Sequence, residues 1–404
     1  MSDPHDHIHL SVALDGAGWH PAAWREPDAR PADLLTADYW VDLAAIAEAG
    51  LLDFVTIEDS LALQSDNPFV PDDRTDRVRG RLDAVEVAAR VAPTTRHLGF
   101  VPTAITTFTE PFHLSKAIAT LDFVSSGRAG VRVQVGARPD IAAHFGRRTI
   151  PELNRADAAD PDKRSAVADH FAEAADYVEV LQRLWDSWED DAEIRDVATG
   201  RFIDRDKLHY IDFEGQWFSV KGPSITPRPP QGQPIVAALG HAAVPYRLIG
   251  TCADVGFVTP KDSADAAAIV EQIRGFQSAA GRGDETVHIV GDLVVLLEDT
   301  ASAARDRLAR LDAAAGSAYR SDAHIFTGTA AQLADLLVDW RDAGLSGFRL
   351  RPATLPHDLR QISAELVPEL QRRNIFRNHY PDSGSTTLRD LLGLVRPANR
   401  YITA

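Results

Sequence analysis

The sequence predicts an α/β protein, a (β/α)8 barrel of the TIM type with loop insertions and a C-terminal tail. Three observations lead there. Short β-branched or apolar runs alternate with longer amphipathic segments, the pattern of βα units that build a parallel sheet. The runs number eight, and each is followed by a helical candidate. They are apolar nearly throughout, as strands covered on both faces must be. A chain of 404 residues exceeds the usual domain size. Barrels of this kind, however, reach more than roughly 400 residues with their insertions, so residues 1–404 are read as one barrel domain.

The expected strands are, in order, 9–14 (HLSVAL), 53–57 (DFVTI), 98–103 (LGFVPT), 130–135 (GVRVQV), 235–239 (IVAAL), 255–258 (VGFV), 288–297 (HIVGDLVVLL) and 347–351 (GFRLR). The helical candidates between and after them span 37–49, 82–91, 111–124, 167–188, 244–251, 264–280, 300–315 with 330–343, and 356–373. Glu110 followed by Pro111 is a good helix start, an acid at the positive end and a proline at the first position. In 167–188, Val167, Phe171, Ala174, Ala175, Val178, Leu181 and Trp185 recur at three-and-four spacing, so that helix lays one apolar face on the sheet.

Two stretches break the rhythm and are read as insertions. One, at about 136–165, is polar, with Arg138, Arg147, Arg148, Asp157 and Asp160. It follows the fourth strand and so lies at the C-terminal face, where substrate lids belong. The other, at about 186–233, carries paired acids, several glycines and the run PRPPQGQP. Its closely spaced prolines forbid helix and make residues 223–234 an extended approach to the fifth strand. The extension 376–404 has a polar turn at 381–385 and a short amphipathic stretch, TTLRDLLGL, suited to wrapping the barrel or reaching a second subunit.

Composition narrows the function classes. Apolar residues make up 45% and charged residues 25%, ordinary for a globular protein with a sizeable core. The formal charge of -17 disfavours attraction to nucleic acid or to anionic membranes. The single Cys252 excludes an intrachain disulfide and a cysteine-based metal cluster, fits a reducing cytoplasm and reads as a small buried hydrophobe. No signal peptide and no run of 18 apolar residues is present, so a soluble cytoplasmic location is expected. His5, His7 and His9 alternate, but no further ligands follow at useful spacing, and no metal site is expected.

In a barrel the side chains at the carboxyl ends of the strands face the active site. That rule selects Asp59, Thr103, Thr106, Thr107, Glu110, Arg132, Gly240, His241, Arg349 and Arg351. Structural roles stand beside the functional ones: Asp59 with Ser60 can cap a turn, the threonines can belong to a solvated loop, and His113 can simply pack. Arg132 is harder to set aside, because a buried guanidinium needs either an acidic neighbour or an anionic ligand. No dinucleotide fingerprint, P-loop, GxSxG elbow or HExxH motif occurs.

The segments GWHPAAWR (18–25), LAAIAEAGLLDFVTIEDSLAL (43–63), TAITTFTEPFHLSKAIATLDFVSSGRAG (103–130), YVEVLQRLWDSWEDDA (177–192), DKLHYIDFEGQWFSVKGPSITPRPPQGQP (206–234) and TLRDLLGLVRP (387–397) resemble the luciferase-like flavin monooxygenases. The nearer likeness is to their nitrilotriacetate and dibenzothiophene-sulfone monooxygenase branch. The resemblance implies a barrel that takes reduced FMN from a separate flavin reductase and uses it with dioxygen to oxidise a small molecule, generally as a homodimer or homotetramer. It places Asp59 and Thr103 among the flavin contacts and His20 on the substrate side.

The chain departs from the family pattern at three points. GVRVQVG stands where GWNVVTS is usual, which puts Arg132 in place of an asparagine. ALGHA stands for QAGSS, which puts His241 in place of a serine that contacts phosphate. A His and a Tyr that usually reach the phosphate fall on Val167 and Phe171. Three outcomes follow. Arg132 or another arginine, with the N–H groups around Gly240, holds the phosphate instead; or the cofactor is a deazaflavin and the chain a hydride-transferring oxidoreductase; or the chain has lost flavin and serves as a non-catalytic partner subunit. The first is carried forward, with His241 or His20 as the group that trades a proton, since histidine titrates near neutrality.

Overall fold

The computed structural model describes residues 7–67, 69–152, 161–381 and 386–402. His5, Asp157, Asp160 and the turn at 382–385 lie outside the described residues. Eight parallel strands close a ring: β1 (His9–Leu14), β2 (Phe54–Ile57), β3 (Gly99–Ile105), β4 (Gly130–Gln134), β9 (Ile235–Gly240), β10 (Val255–Val258), β11 (His288–Leu297) and β13 (Gly347–Pro352), which pairs back onto β1. Two small antiparallel hairpins lie within 187–233, β5 (Glu193–Asp196) with β6 (Arg201–Ile203) and β7 (Phe213–Glu214) with β8 (Ser219–Val220). β1, β10 and β11 have the bounds read from the sequence, and the other five ring strands differ by one or two residues at an end.

The outer layer holds α1 (Ala37–Ala49), α2 (Ala84–Val91), α3 (Pro111–Val124), α4 (Pro139–Phe145), α5 (Pro161–Asp186), α6 (Ala243–Cys252), α7 (Ser263–Ala279), α8 (Ala301–Ala315) and α9 (Ala330–Asp342). Their starts are chemically marked. The side chains of Thr36, Asp83, Asp262, Thr300 and Thr329 accept N–H groups of the first turns that they precede. The apolar stripe of α5 packs inward as its spacing predicts: Val178, Leu181 and Trp185 are buried, and the Trp185 indole donates to the Ser115 carbonyl of α3 at 3.0 Å. None of the helices is long and apolar enough to cross a membrane, among the described residues.

Several elements differ from expectation, among them α4 and the start of α5, which fall in the stretch 136–165 read as an insertion. The single helix read over 356–373 is α10 (His357–Gln361), a π-helical turn (Ile362–Leu366) and α11 (Val367–Arg372). A further parallel strand, β12 (His324–Gly328), joins the second half of β11 beyond the point where β10 stops. Its half-exposed run HIFTG carries too weak an apolar signal to stand out as a strand.

The barrel interior is divided by polarity. Its lower half is an apolar cluster of Phe54, Val101, Ile235, Val255, Phe257 and Val290, and the tail completes it. Leu388, in the short α12 (Leu388–Leu391), and Leu392 pack into that cluster from below. Gly99 makes room, since a Cβ there would lie 2.6 Å from Leu388. The tail is thus a plug for its own barrel. Leu388→Ala is expected to cost about 2–5 kcal/mol of stability by opening a cavity at this floor. Urea unfolding measures it, and a loss well under 1 kcal/mol would show that the tail merely rests there.

Candidate active site

The upper half of the interior is ionic. β3 and β4 place Thr103 opposite Arg132, and β11 and β13 place Asp292 opposite Arg349, so strand register brings each pair together on the inner face. Arg132 Nε donates to Thr103 Oγ1 at 3.0 Å, and its Nη2 is paired with Glu58, the residue that follows β2. Arg349 donates to Asp292 through Nε at 3.1 Å, to Thr56 at 3.2 Å and to Glu58 at 3.4 Å, while its guanidinium lies 4.2 Å from the Phe257 ring centre. Arg351 shares Asp292 through Nε at 3.0 Å and reaches Asp322 at 2.7 Å. Arg132, Arg349, Arg351 and Asp292 are all buried.

Three guanidinium groups therefore face three carboxylates, and the network is neutral as a whole. Burial by itself would raise the Glu58 and Asp292 carboxyls, but the neighbouring arginines overcome it and hold both below the usual carboxylate range. Burial brings Arg132 down to about 10, against the pull of Glu58, and it stays charged at neutral pH. The acidic neighbour that a buried Arg132 requires is thus Glu58.

At the rim the network ends in a histidine. His241 Nδ1 lies 2.8 Å from Thr259 Oγ1, just past β10, and Nε2 lies 3.3 Å from Asp322, just before β12. Burial lowers the His241 pKa while Asp322 opposes the shift, so the ring is neutral at pH 7. Gly240 ends β9 next to it, and a Cβ there would come within 2.7 Å of the Tyr246 ring. No side chain caps α6, which follows, and no acid stands in its first turn. The start of α6 is exposed at Ala242, Ala243 and Val244. A helix start of this kind offers open N–H groups and the positive end of a dipole to an anion.

Thr103, Arg132, Gly240 and His241 thus belong to one rim, linked through Arg349, Arg351, Asp292 and Asp322. Asp59 and His20 stand apart from that network. Asp59 accepts the Ser60 N–H at 2.6 Å and the Ala84 N–H at the start of α2 at 3.1 Å. Burial, only partly opposed by these donors, raises its pKa. His20 is buried, with Nε2 3.0 Å from Asp312 of α8 and Nδ1 accepting the Ala22 N–H at 3.1 Å, so both ring nitrogens are used within the chain. Gly18 sets that position. At φ +119 its missing Cβ avoids the Ala353 carbonyl, 2.5 Å away, and lets Trp19 and His20 donate to the carbonyls of Pro352 and Ala353. Glu110 pairs with Arg147 on the exposed side.

Sequence reasoning missed Glu58, Thr259, Asp292 and Asp322. Asp292 left a signal, one acid in the middle of an otherwise apolar strand, which must face either a cation or a ligand. Glu58 was passed over for its neighbour Asp59, although strand alternation after Phe54 and Thr56 turns position 58 inward.

The luciferase-like monooxygenase family model matches residues 18–336. The chain is 30% identical to N-acetyl-S-(2-succino)cysteine monooxygenase of Bacillus subtilis (strain 168), over 99% of this chain and 100% of that protein. It is also 30% identical to nitrilotriacetate monooxygenase component A of Aminobacter aminovorans, over 97% of each. Among solved structures, a long-chain alkane monooxygenase superposes with a TM-score of 0.83 at 23% identity, covering 97% of this chain and 96% of that one, a likeness of fold.

Proposed function

The chain belongs to the luciferase-like monooxygenase family, and from that premise we propose that it oxidises a small organic molecule with dioxygen and reduced FMN supplied by a separate flavin reductase. The observation that carries this reading is full-length similarity to monooxygenases, joined to a rim where polar groups from separate βα units converge. One of those relatives is named as a component of its system, which supports delivery of the reduced flavin by a partner.

The residues present fit FMN. Its phosphate needs donors that no carboxylate already occupies. Arg132, Arg349 and Arg351 are each matched by an acid, whereas the start of α6 beside Gly240 has no acidic residue and no cap. Gly240 with the N–H groups of Ala243 and Val244 would cradle the phosphate, the third residue of α6 being Pro245, which has no N–H. Thr103, Arg132 and Asp59 would be the further residues that hold the flavin. Bound reduced FMN supplies the electrons that activate dioxygen. The chain's own residues would bind the flavin beside a neutral ionic network and present His241 at the rim. His241 is the neutral base: its Nε2–H faces Asp322, which steadies the protonated form, and the proton is taken or returned at Nδ1, the nitrogen beside the Thr259 hydroxyl. His20, buried and held between Asp312 and the Ala22 N–H, shapes the substrate side. Assembly as a homodimer or homotetramer belongs to the same proposal and is read by sedimentation.

Anaerobic titration tests the reading. Reduced FMN is expected to bind in the micromolar range. Ala242→Asp is expected to keep or raise thermal stability, because an acid at this position caps α6 for about 1 kcal/mol. The same substitution should weaken reduced FMN binding about tenfold or more, by putting a carboxylate where the phosphate belongs. Binding of a deazaflavin in preference to FMN, or of neither, refutes the proposal.

A further inference from the structure

Resting on the monooxygenase reading, a cavity beside the rim identifies what is oxidised. It has a volume of about 260 Å3 and lies between the segment before α1 and the segment 75–82, with Glu58 and Asp15 at the strand ends on its border. Trp24, Leu34, Trp40, Val78 and Leu82 form its apolar wall. Both indole N–H groups are turned to backbone carbonyls, Trp24 to Asp76 at 3.3 Å and Trp40 to Leu34 at 3.1 Å. The rings therefore offer the cavity hydrocarbon and π surface without a free donor.

The ionic groups on the border are already matched within the chain. Arg81 forms a two-point pair with Asp15, with Nε to Oδ1 at 2.8 Å. Arg79 pairs with Asp72, and Arg77 pairs with Asp76 at 2.9 Å while donating to the Ala315 carbonyl at 3.2 Å. Glu58 is held by Arg132 and Arg349. A charged ligand entering this space would find no uncommitted counter-ion among the described residues, and would have to break a pair or lose its hydration uncompensated. Arg77, itself buried, makes no hydrogen bond through Nε among the described residues, but that nitrogen faces Asp66 at 3.6 Å, so it too is matched.

We infer that this cavity is the substrate subsite, and that it takes an uncharged, predominantly apolar molecule rather than a polycarboxylate. An apolar cavity of about 150 Å3 holds benzene, so this one suits a body of roughly two fused rings. Its border on Glu58 joins it to the ionic floor, so a molecule seated there meets the reacting centre at the strand ends.

The full-length protein is titrated calorimetrically with 2-naphthol, 2-naphthoate and citrate, with no flavin present. 2-Naphthol is expected to bind at least about tenfold more tightly than 2-naphthoate, with no detectable citrate binding. Leu35→Glu, at a wall position 65% exposed and tolerant of charge, and Trp24→Ala are each expected to weaken 2-naphthol binding about tenfold, with the fold checked by melting. Equal or tighter binding of either anion overturns the inference, as does 2-naphthol binding that is absent or insensitive to both substitutions. Loss of the flavin reading alone gives a different result, 2-naphthol bound as described by a protein with no affinity for reduced FMN.

Discussion

Asp292→Ala is expected to lower the unfolding free energy by about 3–5 kcal/mol, the cost of breaking a buried ion pair by removing one partner. Asp292 is fully buried and is shared by Arg349 and Arg351. Alanine leaves Arg351 with Asp322, half exposed at the rim, and leaves Arg349 with a longer contact to Glu58. Two guanidinium groups inside a parallel barrel then lack the carboxylate that justified their burial. Asp292→Asn keeps the shape and two of the acceptor sites but loses the charge, so it should fall between wild type and alanine. Urea unfolding with an unchanged slope measures both. A loss below about 1 kcal/mol would mean that the arginines find other partners, and the view of the network as a balanced set would fail.

The same residue gives a pH dependence. The folded-state pKa of Asp292 is depressed, with burial opposing ionisation and the two arginines prevailing. Its contribution is therefore fully present above the unfolded value of about 3.9 and is lost as pH falls through the lower folded value. Glu58 acts in the same direction. Wild type should lose stability steeply on acidification, and Asp292→Asn, weaker at neutral pH, should show a shallower decline.

His241→Ala should reduce turnover by about 10²–10⁴-fold, the usual worth of a positioned acid or base. Substrate-linked oxygen uptake measures it, and reduced-FMN affinity, measured separately, distinguishes lost proton transfer from lost binding. The stronger test is the partner. Asp322 raises the His241 pKa against the effect of burial, so Asp322→Asn should lower it further, and the positive charge of Arg351, then less compensated, acts in the same direction. The acid limb of the rate profile and the His241 ring titration followed by NMR should both move to lower pH. A profile that stays in place while the ring titration moves would remove His241 from the proton path.

Most of the barrel was legible because each strand is a short apolar run in a chain that otherwise reads as amphipathic helix or polar loop. β12 was not, since its half-exposed residues depend on the long β11 outlasting β10 to have anything to pair with. The π-helical turn after α10 left no trace, because it changes hydrogen-bond register without changing apolar content. Within the site, Arg132 and Thr103 were legible as polar residues at strand ends. Their mutual bond was not, because register between β3 and β4 places them side by side across 29 positions of chain.

Residue chemistry and order were enough to determine a parallel barrel, the polar groups at its rim and the family to which it belongs. Local periodicity and motif survive in one dimension. Tertiary structure alone decided which charges meet: that Arg132 answers to Glu58, that Asp292 serves two arginines, that Asp322 arrives beside His241 from the bend before a strand outside the ring, and that the tail seals the floor. Coulomb pairing and burial depend on distance in space, and closing the barrel sets those distances between residues as far apart in sequence as Glu58 and Arg349.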